Sequence, residues 1–178
     1  MAVEPGRQMD RAMKAVIKMH VDCIKLFNDL DAAMDGFDSY FGNVVTQQLG
    51  SSINNRKYIA DGLIRFYYLG KNDADMLGIN VCFYDLNDPK FVEPILVAAH
   101  IVYQPMTVDQ TEKYQRGWDP WFAFLSWGND GRYGEPIQIE RPRKRGTIEH
   151  LTVAAQPLFS VNSIESALSL IDMVGRPE

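Results

Sequence analysis

The sequence predicts an α+β fold: a mostly antiparallel sheet of about five or six strands, with a long N-terminal amphipathic helix and a short C-terminal helix. Three observations carry this expectation. An apolar stripe of helical period runs from Met9 to Met34; a series of strand-like apolar runs separated by short polar turns follows it; and a last helical stripe closes the chain. Strands and helices do not alternate, which argues against a parallel nucleotide-binding sheet.

With 178 residues, 46% of them hydrophobic and 23% charged, the chain has the composition of one ordinary globular domain. We therefore expect a single α+β domain over 1–178, with the first helix at 8–35, the sheet region at 58–161 and the C-terminal helix at 163–174.

In the first helix, Met9, Met13, Val16, His20, Cys23, Phe27, Leu30 and Met34 recur at alternating spacings of four and three, which is a heptad seam. Ile17 and Ile24 widen it on one side, as suits a helix packed on a bundle or a sheet better than an isolated two-stranded coil. Gly36 follows as a natural C-terminal cap. The seam positions Met13, Val16, His20, Cys23, Phe27 and Leu30 are the expected interface of a homo-oligomer or with a helical protein partner.

Residues 37–49 admit two readings. Phe37, Tyr40, Phe41, Val44, Val45 and Leu49 keep a helical spacing, whereas Gly42 and the β-branched pair Val44 and Val45 favour entry into a first strand. Three apolar runs then read as antiparallel strands, namely Leu63 to Leu69, Leu77 to Tyr84 and Ile95 to Tyr103. Gly70-Lys71-Asn72-Asp73 and Asp85-Leu86-Asn87-Asp88-Pro89 supply the turns.

Trp121 to Trp127, the turn Gly128 to Gly131 and the alternating Ile137 and Ile139 read as a hairpin. A basic turn, Arg141 to Gly146, precedes the run Ile148 to Val161, which Pro157 should bend or end. Asn162 with Glu165 resembles a capping box, and Ile164, Ala167, Leu168, Ile171 and Val174 form the apolar face of the last helix, which Gly175 stops.

The chain carries no phosphate-cradling glycine motif, no Gly-x-Ser-x-Gly elbow and no His or Cys pair at zinc spacing, so neither a metal nor a cofactor is expected. The net charge of −5 speaks against general nucleic-acid binding. Cys23 and Cys82 each sit in an apolar setting and read as buried thiols. The N-terminus has no leader-like order of residues, and the longest apolar run is about half of the roughly 20 residues a membrane helix needs. No membrane partner and a cytoplasmic location are the corresponding expectations.

The first functional expectation is a non-catalytic interaction or small-ligand-sensing module that is oligomeric through the first helix. A small enzyme is the rival, with His100 as acid or base and Arg65 or the basic turn holding an anionic substrate in a sheet-lined pocket. His100 is the one catalytic candidate, and Arg65, His100, Trp121 and Trp127 are the candidates for small-molecule binding. Arg141, Arg143, Lys144 and Arg145 are the candidates for anion binding and would also serve a nucleic-acid accessory protein.

Overall fold

The computed structural model describes residues 5–40, 46–47, 62–83, 93–103, 133–140 and 148–177. These form two compact units, Met1–Asp35 and Gly36–Glu178.

The first unit is helix α1, Pro5–Ala33. Pro5 suits a first turn, and the rest of the helix is rich in Ala, Met, Leu and Lys, all good helix formers. Ion pairs one turn apart, Lys14 with Asp10 at 2.8 Å and Lys18 with Asp22, line its exposed side. Such exposed pairs stabilise a helix by only about 0.3–0.5 kcal/mol each. Cys23, Phe27, Leu30 and Met34 are buried, in keeping with the C-terminal half of the seam.

The second unit holds an antiparallel sheet of strands β1 (Phe37–Ser39), β2 (Thr46–Gln47), β3 (Gly62–Leu69), β4 (Asn72–Cys82), β5 (Ile95–Tyr103), β6 (Ile137–Glu140) and β7 (Ile148–Pro157). Their order across the sheet is β1-β3-β4-β5-β7-β6, with the short β2 also paired to β3. A 3₁₀ turn, Leu158–Ser160, leads to helix α2, Ile164–Val174. The expected α+β class, with a long N-terminal and a short C-terminal helix, is the observed one.

The differences from expectation are local. The described parts of 37–49 are extended and pair with β3, so that β-branched and aromatic side chains prevail there over the helical spacing. Strand β4 begins at Asn72 rather than Leu77, because the turn from β3 takes only Gly70 and Lys71. Gly70 has φ 63°, the left-handed conformation that two-residue hairpin connections require. β7 ends at Pro157, beyond the stretch His150 to Val153 that pairs with β6. The N-cap of α2 is Ser163, whose hydroxyl accepts from Ser166 N–H at 3.3 Å while the Ser166 hydroxyl answers Ser163 N–H at 3.2 Å. The capping box thus sits one residue later than Asn162 and Glu165 imply, because serine at both positions completes it reciprocally.

Register sorts the side chains into two faces. One is mostly apolar: Ile64, Phe66, Met76, Val97, Ala99, Ile101, Leu151, Val153 and Ala155 form a continuous core. Asn80 interrupts it, and its amide donates to the Leu63 carbonyl at 3.0 Å and the Val81 carbonyl at 3.2 Å. Gly62 makes room for this arrangement, since a Cβ there would lie 2.6 Å from the Val81 oxygen and 3.2 Å from the Asn80 amide nitrogen. A backbone oxygen in a ladder cannot withdraw, so Gly62→Ala should lower stability by about 1–3 kcal/mol, read as a lower urea midpoint at unchanged slope.

Candidate functional site

The second face of the sheet changes character along its strands. At one end it carries Leu63, Val81 and Leu96, all buried. At the other, cross-strand pairing places Glu140 opposite His150, His150 opposite Val102 and Val102 opposite Asp75. The neighbouring row holds Gln138, Thr152, His100, Leu77 and Tyr67. Titratable and hydroxyl groups therefore gather at a single end of a single face.

At its centre His100 donates from Nε2 to Asp75 Oδ1 at 2.6 Å. The two residues sit on a diagonal between β4 and β5, where side chains of this length can meet. A carboxylate can only accept, so the bond places a ring proton on Nε2. Both side chains are partly open to solvent, at 21% and 19%, so this pair is not sealed in the core.

Helix α2 packs over β5 and β7 on this side. It buries Ala167, Leu170, Ile171 and Val174, and Gln156 donates to the Ser166 carbonyl at 3.4 Å. Its C-cap, Gly175, lies against the imidazole: a Cβ there would stand 3.5 Å from His100 Nδ1. With φ 84°, Gly175 also turns the chain in a conformation that side-chain-bearing residues rarely adopt. The ring is thus held between a carboxylate on a strand and the end of a helix.

Arg65, on β3, belongs to the same face, one row further on and two strands away. Strand spacing puts its Cα about 12 Å from that of His100. It is 4% exposed, and its guanidinium carbon lies 5.9 Å from the centre of the Tyr67 ring. Trp121, Trp127, Arg141, Arg143, Lys144 and Arg145 lie outside the described residues. Among the described residues no group of three or more His, Cys, Asp or Glu is placed to hold a metal ion.

On α1 the seam divides. Cys23, Phe27 and Leu30 are buried in the single chain, Val16 and His20 are half-buried, and Met13 is 51% exposed. His20 Nδ1 donates to the Val16 carbonyl at 2.9 Å, one turn back along the helix. Beside the buried residues runs a second stripe, Met9, Met13, Ile17, Val21 and Ile24, with exposures between 38% and 71%. Ile17 and Ile24 are the residues that widen the seam in the sequence.

Burial, with the Asp22 carboxylate adding to it, pushes the Cys23 thiol up from 9.0 to about 11. Asp22 itself is held below its ordinary range chiefly by its hydrogen bond to Lys18. At the start of α2, the backbone N–H of Glu165 and the Ser163 hydroxyl hold the Glu165 carboxyl low.

Sequence reasoning missed Asp75. The signal was present as an alternation, Asp75, Leu77, Ile79 and Val81, but Asn72-Asp73 has the composition of a turn and hid the early start of the strand. No known protein family, curated protein or solved structure matches this chain. Among the described residues no helix is long and apolar enough to cross a membrane.

Three outcomes are expected. A double-mutant cycle over Asp75→Asn and His100→Ala should give a coupling of about 1–2 kcal/mol in chemical denaturation, as for a hydrogen bond to a charged group. Neither cysteine is in a disulfide and both are buried, so the folded protein should react at neither of them at pH 8 on the timescale in which the denatured chain titrates both. Because the folded Cys23 value lies above the unfolded one, stability should fall as pH rises from about 9 through 11.

Proposed function

We propose that this protein is an interaction module that assembles through the outward stripe of α1. The observation that carries this reading is the contrast within a single helix. Cys23, Phe27 and Leu30 are buried, whereas Met9, Met13, Ile17, Val21 and Ile24 present a second, contiguous apolar surface to solvent. At 1.5 Å per residue this surface is about 22 Å long, enough for four turns of contact with another helix. Burying such side chains fully is worth about 1.5–3 kcal/mol each, before the cost of association. Scattered apolar residues on a surface are ordinary, but a continuous helical row of them marks a binding face.

The reading includes a cytoplasmic location, supported by two buried cysteines that form no disulfide. A second reading, a small enzyme or small-ligand sensor acting on an anion, is supported by the Asp75–His100 hydrogen bond. That bond orients an imidazole, a side chain suited to acid or base work, on the face that also carries Arg65.

Native mass spectrometry tests both. The assembly reading expects the wild-type protein as an oligomer, and Met13→Glu with Ile17→Glu as a monomer of unchanged helicity and melting temperature. A monomeric wild type would sink it. The second reading expects a small anion retained in the same spectra.

A further inference from the structure

From the charge pattern of α1 we infer that the partner of its exposed stripe is a second copy of the same helix, running antiparallel about a two-fold axis near Ile17. The inference rests on the assembly reading above and adds the partner and its direction.

The helix is electrically lopsided. Its N-terminal half, through Met19, contains Arg7, Arg11, Lys14 and Lys18 against the single acid Asp10. Its C-terminal half contains Asp22, Asp29 and Asp31 against the single base Lys25. No acidic residue lies in the first turn and no basic residue in the last. This opposes the usual arrangement, in which acids sit near the positive N-terminal end of the peptide dipole and bases near the negative C-terminal end. Side-chain charge and backbone dipole therefore reinforce each other at both ends of α1.

A second helix laid parallel would set like halves side by side and add to that imbalance. Laid antiparallel, it sets the basic half of each copy beside the acidic half of the other and reverses the dipole as well. The apolar stripe permits this geometry. Met9 and Met13 lie to one side of Ile17 and Val21 and Ile24 to the other, so two copies crossing at Ile17 cover each other's stripes reciprocally. A self-complementary contact of this kind closes as a dimer rather than propagating.

Spin labels on Gln8→Cys and Ala15→Cys, examined one at a time in the full-length protein, report the direction. Both positions are exposed, uncharged and one heptad apart on the same side of α1. Labelled wild type, with its buried thiols, is the control. Antiparallel pairing should give two different distances between copies, longer by on the order of 10 Å at Gln8, nine residues from the axis, than at Ala15. Equal distances at the two positions, in a dimer that Ile17→Glu dissociates, would overturn the antiparallel inference and leave the assembly reading intact. A monomer with no distance between copies would overturn both. Circular dichroism of each labelled variant confirms that the helix is retained.

Discussion

Strand β5 is the constraint on which the sheet unit depends. Leu96, Val97, Ala98, Ala99 and Ile101 are all 0–1% exposed, so consecutive residues pointing to opposite faces are both removed from water. A strand apolar on both sides cannot lie at an edge or face solvent, and it takes a central place between β4 and β7. Its backbone groups are satisfied by two antiparallel neighbours, and α2 is drawn over β5 and β7. The amphipathic face of α2 and its glycine stop are matched to that task.

His100 is where this apolar strand first departs from its pattern, and the departure organises the polar end of the sheet. A side chain able to hydrogen-bond cannot be half-buried there without a partner, and Asp75 on β4 supplies one. The glycine that ends α2 leaves room beside the other ring nitrogen. Three separate elements therefore meet at one imidazole, with Arg65 further along the same face.

Helix α1 expresses a different logic. Its seam is regular, yet only the part from Cys23 onward is buried in the single chain. The residues that broaden the seam make a second apolar stripe, and the charges along the helix add to its own dipole where they ordinarily offset it.

Period and punctuation in the sequence determined the class of fold. The four–three spacing of α1, the apolar runs of β3, β5 and β7, and the glycines at 70 and 175 follow from local rules of helix, strand and turn, which need no knowledge of neighbours. His100 and Arg65 stood out for the same reason, as polar groups inside apolar runs. Tertiary structure alone decided that residues 37–39 pair as a strand, since their spacing serves helix and strand alike and only the edge of β3 selects between them. It alone gave His100 its partner, because register between β4 and β5 joins residues 25 apart that no local pattern connects. It alone divided the α1 seam into buried and exposed parts, because heptad spacing specifies that a face is apolar and not how far each of its residues is removed from water.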